Sequence, residues 1–188
     1  MSTTIYIVRH CKAAGQAPDA QLTLEGAAQA TQLADQLALL PIQRIISSPF
    51  LRATQSIAPL ALRLQLPITT DVRLAERILS SAELLDWPTA LQATFDDLDL
   101  CFEGGESSRT AMQRAAAVVS EYALHAADVT LLVTHGNLMT LLLKHFDRRV
   151  GFAEWQRLTN PDVYRIVLAP DRAEIARLWA EENDKMTR

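Results

Sequence analysis

Thr4-Ile5-Tyr6-Ile7-Val8 runs straight into Arg9-His10, and Thr130-Leu131-Leu132-Val133-Thr134 runs into His135-Gly136-Asn137. Both runs are short, aliphatic and partly β-branched, which is how a strand buried on both faces of a parallel sheet reads. Such strands normally hand over to Gly, Asn or Asp. Ending twice on an imidazole is a chemical signal, because histidine can serve as nucleophile, base or cation near neutral pH. Between and around these runs, strand-like and helix-like segments alternate. Thr23 reads as the N-cap of a helix over 24–40, with Ala27, Ala30, Leu33, Leu37 and Leu40 at helical spacing. Arg44-Ile45-Ile46-Ser47 reads as a second buried strand. Ser48-Pro49 then supplies an N-cap and first residue for a helix to about Arg63. A short strand follows over 67–70, then a helix near 81–94. A long helix runs from the Gly104-Gly105-Glu106-Ser107 stretch to about Ala127, and another over 137–146. Tyr164–Leu168 and Ala173–Leu178 suggest an antiparallel edge pair around Pro170-Asp171. This pattern predicts an α/β fold, a three-layer α/β/α sandwich with a mainly parallel central sheet. In such sheets the site lies beyond the carboxyl ends of the strands, so His10 and His135 can meet there.

The bulk numbers narrow the function. A chain of 188 residues, 49% apolar but only 6% aromatic, has the size for one domain (1–188) with an Ala/Leu/Ile/Val core. A net charge of −4 speaks against nucleic-acid or membrane-surface partners. Cys11 and Cys101 are too few for a disulfide framework. The start, Met1-Ser2-Thr3-Thr4, has no basic-then-apolar leader, and the apolar stretch from Leu131 to Phe146 is too short and polar to span a bilayer. A cytoplasmic protein, monomer or homodimer, is the expectation.

Arg9-His10, the Ser47-Ser48-Pro49-Phe50-Leu51-Arg52-Ala53-Thr54-Gln55 segment and Thr134-His135-Gly136-Asn137 together resemble the histidine phosphatase superfamily, with its phosphoglycerate-mutase-like fold. Leu22-Thr23-x-x-Gly26-x-x-Gln29-Ala30, Arg73-Leu74-x-Glu76 and Gly105-Glu106-Ser107 extend the match in the family's order. The resemblance implies that His10 is a nucleophile that carries a phosphohistidine, so its ring must be neutral with one nitrogen fixed by a hydrogen bond. Arg9, Arg52 and His135 would hold the phosphoryl group, with Gln16 and Gly136 as further phosphate contacts. The free N–H groups at the helix start after His135 would face the same anion. Because Arg9 and His10 are adjacent, both reach one phosphate only if the chain leaves the strand at His10. Glu76 is the family-matched general acid, later the base toward water. Glu106 reads better as a helix-start carboxylate. The cationic side chains do what Mg²⁺ does elsewhere, so no metal or cofactor is implied.

The sequence also departs from the family. Cys11 stands where a glycine usually follows the nucleophile, and Ala13 and Gln16 replace a hydroxyl residue and Asn. His10-Cys11 invites a cysteine-phosphatase reading, but Ala17 occupies the position where that chemistry needs an arginine. Cys11 is then a small packed residue, one that could make the site sensitive to oxidation. Residues 77–105 resemble the family's variable cap, where Trp87, Phe95 and Phe102 are candidate pocket walls and Asp86, Asp96, Asp97, Asp99 and Glu103 make the segment acidic. His125 and His145 read as surface or capping residues. The expected function is metal-independent hydrolysis of a small phosphorylated metabolite. The alternatives are a cofactor-dependent phosphoglycerate mutase and a phosphate- or phosphoprotein-binding module that has lost activity.

Overall fold

Alternation inside single strands divides the core in two. In β1 (Thr3–Arg9), Ile5 and Ile7 pack on one face with Ile46, Leu132 and Ile166, while Tyr6 and Val8 pack on the other with Ile45, Leu131, Val133 and Val163. A sheet buried on both faces needs helices on both, and the computed structural model, which describes residues 2–123 and 129–179, has them. Helices α1 (Leu24–Leu37) and α2 (Leu51–Leu64) cover the Val8 face. Helices α3 (Trp87–Asp96), α4 (Ser108–Ala123) and α5 (Gly136–Phe146) cover the Ile7 face. A short α6 (Phe152–Gln156) packs beside α5 and α3. The expected α/β sandwich is present.

The remaining strands are β2 (Arg44–Ser47), β3 (Ile68–Thr70), β4 (Thr130–Thr134), β5 (Asp162–Ala169) and β6 (Arg172–Arg177). The sheet order is β3-β2-β4-β1-β5-β6. Pairings among β3, β2, β4 and β1 are parallel, whereas β5 and β6 are antiparallel to their neighbours. The register sets Arg9 opposite Thr134 and Ser47 opposite Val133, so β1, β2 and β4 deliver His10, Ser48 and His135 to one edge.

Some boundaries differ from the sequence reading, each for a local reason. Thr23 caps α1 as expected, its Oγ1 accepting from the Gly26 N–H at 3.0 Å. A Cβ on Gly26 would stand 2.0 Å from the Lys12 carbonyl oxygen, so only glycine lets α1 start against the loop that follows His10. Helix α2 starts at Leu51 with Phe50 as its N-cap, not at Pro49. Ser48 is not a cap because its hydroxyl is engaged with His135, as described below. Helix α3 begins later than expected because Asp86 caps it through the Thr89 N–H at 3.2 Å. The 3-10 turn Val72–Leu74 and α6 are too short for periodicity to reveal. The expected end of the long helix near 127, and His125, lie outside the described residues. His145 is exposed, as anticipated.

Candidate active site

His10 lies just past the end of β1, its N–H still bonded to the Thr134 carbonyl at 3.0 Å. The chain then leaves the ladder, and the Cys11 N–H donates to Ser56 Oγ at 2.8 Å. This is the turn that the adjacency of Arg9 and His10 required. The His10 ring is 7% exposed, and its Nδ1 sits 2.7 Å from the Cys11 carbonyl oxygen. A carbonyl only accepts, so Nδ1 carries the proton and Nε2 keeps its lone pair. Arg52 Nε donates to that Nε2 at 3.2 Å, which fits the same tautomer. Burial pushes the ring's pKa down to about 4, with the Cys11 contact opposing and the Arg52 and Arg9 charges adding to the fall. The imidazole is therefore neutral across the physiological range.

Arg52, in the first turn of α2, is 1% exposed and points back over the strand ends. Its Nη1 donates to the carbonyls of Gln16 at 3.0 Å and Ala17 at 2.8 Å, and Phe50 lies under the guanidinium. Arg9 Nη1 donates to the carbonyls of Leu158 at 3.1 Å and Thr159 at 3.3 Å, while its Nε is buried without a partner. Burial lowers the pKa of both guanidiniums from the usual value, and the Glu76 charge pulls each back. Carbonyl dipoles hold both cations in place without neutralising them, so an anion arriving between them is strongly favoured. Gly136 belongs to the same arrangement: a Cβ there would stand 3.1 Å from three atoms of the Arg9 guanidinium group.

His135 is fully buried, its ring centroid 5.0 Å from that of His10. Burial, then the nearby His10, Arg52 and Arg9, push its pKa well below the ordinary value. Its Nε2 is 2.7 Å from Ser48 Oγ, and its Nδ1 is buried without a partner. If the serine hydroxyl donates to Nε2, Nδ1–H is left as a free donor. Ser48 also accepts from the Phe50 N–H at 3.2 Å. The helix start after His135 does not behave as expected. The N–H groups of Asn137 and Leu138 are taken by Glu76, at 3.1 and 3.0 Å, rather than left for a ligand. Glu76 also accepts from the Arg77 N–H at 2.9 Å, so α5 fixes the carboxylate at the cavity wall.

The arginines on either side of Glu76 both turn away from its carboxylate. Arg73 turns away to Asp71 and Glu121. Arg77 is buried, donating to Glu106 O, Thr94 Oγ1 and Ser108 Oγ. Glu106 pairs with Arg114 at 2.8 Å, a bracing role in keeping with its non-catalytic reading. Cys11 is fully buried and burial raises its pKa to about 11, so the thiolate that oxidants attack is scarce. The expected oxidation sensitivity has no basis there.

A cavity of about 390 Å³ opens beside these groups, lined by Arg9, Gln16, Glu76, Gly136 and Asn137 on one side. Arg77, Leu79, Trp87, Leu91 and Trp155 line it as well. Of the three aromatic candidates, only Trp87 reaches the cavity; Phe95 is core and Phe102 is half-buried elsewhere. The acidic residues of the segment do not line the cavity. Asp86 caps α3 and Asp99 pairs with Arg109. Sequence reasoning missed Asn160, whose Nδ2 donates to the His10 carbonyl at 2.7 Å, and Ser48 as the partner of His135. Nothing in a single sequence marks Asn160, which lies 150 residues away. Among the described residues, no cluster of three His, Cys, Asp or Glu side chains is placed to hold a metal ion, and no helix is long and apolar enough to cross a membrane.

Comparison with known proteins gives the following. Residues 5–181 match the family described as histidine phosphatase superfamily (branch 1). An uncharacterised protein of Mycobacterium tuberculosis is 38% identical over 81 residues, 39% of this chain and 40% of the relative. The match therefore spans about 40% of the length of the curated relatives found. A mycobacterial glucosyl-3-phosphoglycerate phosphatase superposes with a TM-score of 0.80 at 23% identity, covering 96% of this chain and 100% of the other. Bacillus stearothermophilus YhfR gives 0.75 at 23%, covering 93% and 96%. A phosphoglycerate mutase from Bacillus anthracis gives 0.73 at 18%, covering 94% and 92%.

Proposed function

The chain belongs to the histidine phosphatase superfamily (branch 1), and from that premise we propose that it is a metal-independent phosphomonoesterase working through a phosphohistidine on His10. The observation that carries this reading is the state of His10. Its Nδ1 is locked to a carbonyl, its Nε2 is unprotonated, and the Arg52 Nε–H that Nε2 accepts would pass to a phosphoryl oxygen as the nitrogen attacks. A nucleophile held neutral beside two buried guanidiniums suits phosphoryl transfer.

The Nε2 lone pair of His10 attacks phosphorus, the ester P–O bond breaks, and its electron pair leaves on the alcohol oxygen, which takes a proton from Glu76. Water then attacks phosphorus and gives a proton to Glu76, the N–P bond breaks, and the imidazole is restored. Arg9, Arg52 and the free Nδ1–H of His135 stabilise the charge that spreads over the equatorial oxygens. Gln16 and Gly136 complete the phosphate side of the cavity. Residues 77–105 serve as the cap of a domain spanning 1–188, and the substrate is a small phosphorylated molecule. A mycobacterial phosphatase of the same fold has been captured with inorganic phosphate and another time with vanadate, which supports phosphate as the group recognised.

Hydrolysis of p-nitrophenyl phosphate in EDTA tests the reading. Turnover that vanishes in His10→Ala supports it, and a ³²P label trapped on the wild type by acid quench marks the intermediate. Absence of turnover from pH 5 to 8 sinks it. Formation of 2-phosphoglycerate from 3-phosphoglycerate and 2,3-bisphosphoglycerate, without free phosphate, would replace it with the mutase reading.

A further inference from the structure

The half of the cavity away from the phosphoryl clamp has a distinct chemistry. Its wall is Leu79, Trp87, Leu91 and Trp155. The Trp87 and Trp155 rings meet edge to face at 5.9 Å, and Phe152 stacks on Trp155 at 5.3 Å with 19° between planes. Trp87 is nonetheless 50% exposed. A large ring left half in water at the mouth of a cavity is an apolar surface without a cover, which marks a place where a ligand gains by covering it. The nearest cation on this side offers little to an anion. Arg77, also on the lining, directs Nε and Nη1 to Glu106, Thr94 and Ser108, and its Nη2 is buried without a partner.

Resting on the hydrolase reading, we infer that the physiological substrate is a phosphomonoester whose leaving group is flat, apolar and about one or two rings in size. Phosphate occupies the Arg9 end, and the rest of the cavity of about 390 Å³ takes a group of that size against the two tryptophans. A polyol placed there would lose its hydration against four apolar side chains, and Arg77, the cation that shares this lining, has Nε and Nη1 already committed to Glu106, Thr94 and Ser108. Trp87 and Trp155 are thereby the specificity-determining residues, one on α3 and one on α6, elements joined only through this wall and the packing beneath it.

The test compares 2-phenylethyl phosphate with glycerol 1-phosphate on the full chain. Both are esters of primary alcohols, so the intrinsic leaving tendency is alike and the ratio of kcat/KM reads the wall. The ring ester should win by about 30-fold, the gain expected from removing one benzene ring from water. Trp87→Ala and Trp155→Ala should each cut that ratio about fivefold or more, and Trp87→Phe should keep most of it. Equal kcat/KM for the two esters overturns the inference while leaving the hydrolase intact, as does a ratio that survives both alanine variants. Silence toward both esters, with no phosphate trapped on His10, overturns the hydrolase reading and this inference with it.

Discussion

Lowering the pH separates a buried, neutral nucleophile from an ordinary histidine with little ambiguity. Burial holds His10 near a pKa of about 4, against 6.5 for the exposed side chain. At pH 5 a ring with the lower value is about 90% neutral, whereas an ordinary one is only about 3% neutral, roughly a 30-fold difference in competent nucleophile. The acid limb of kcat/KM should therefore keep most of its height at pH 5, once the substrate's own second ionisation, titrated separately, is divided out of the profile. Ring carbon shifts of His10 followed by NMR in phosphate-free enzyme measure the same value directly. The shift also has a sign for stability. The unfolded chain binds a proton at His10 below 6.5 and the folded chain does not until about 4. The contribution is therefore present above pH 6.5 and is lost as the pH falls through that window, amounting to about 3 kcal/mol for this one group. Buried His135 acts in the same direction. Denaturant unfolding at pH 7.5 and 4.5 should show the loss, and His10→Gln should remove part of it. An NMR titration of His10 centred near 6.5 would refute the argument at its root.

Other outcomes follow from single contacts. Arg52→Lys keeps the charge but not the Nε that touches His10, so kcat should fall by about 100-fold, with circular dichroism unchanged. Ser48→Ala removes the partner that fixes the His135 ring, and kcat should fall about tenfold while the ring's nitrogen shifts show mixed tautomers. A single retained tautomer would count against the role given to Ser48. Gly136→Ala sets a methyl 3.1 Å from the Arg9 guanidinium and should weaken inhibition by vanadate about tenfold, more than it changes Tm.

How much of this was legible beforehand depended on the range of the interaction. The two-sided strands were readable because Ile5-Tyr6-Ile7-Val8 leaves no polar face, and that alone demands helices above and below. Thr23 was readable as a cap because the bond it makes is three residues long. Ser48 was misread for the same reason. A serine before a proline looks like a local cap, and only the fold brings His135, 87 residues on, within 2.7 Å of it. The N–H groups of α5 were expected to face a ligand. The sequence gives no sign that Glu76 from the turn after β3 would claim them. Of the aromatic residues in the 77–105 segment, Trp87 reaches the cavity and Phe95 and Phe102 do not, a choice that depends on where α3 starts, which Asp86 decides.

One tether has a consequence for the order of assembly. His10 and Arg9 are produced early in synthesis, yet their groups are gripped from late in the chain: Leu158 and Thr159 hold Arg9, and Asn160 holds the His10 carbonyl. These contacts span about 150 residues, among the most non-local in the molecule, and they form only when β5 docks against β1. A nascent chain that has emerged through α5 already carries His10, Arg52, Glu76 and His135, but without residues 158–160 its Arg9 guanidinium and His10 carbonyl have no anchors. Docking of β5 thus fixes both ends of this tether at once, because a chain that stops short of residue 158 has neither the Arg9 anchors nor the Asn160 bond to the His10 carbonyl.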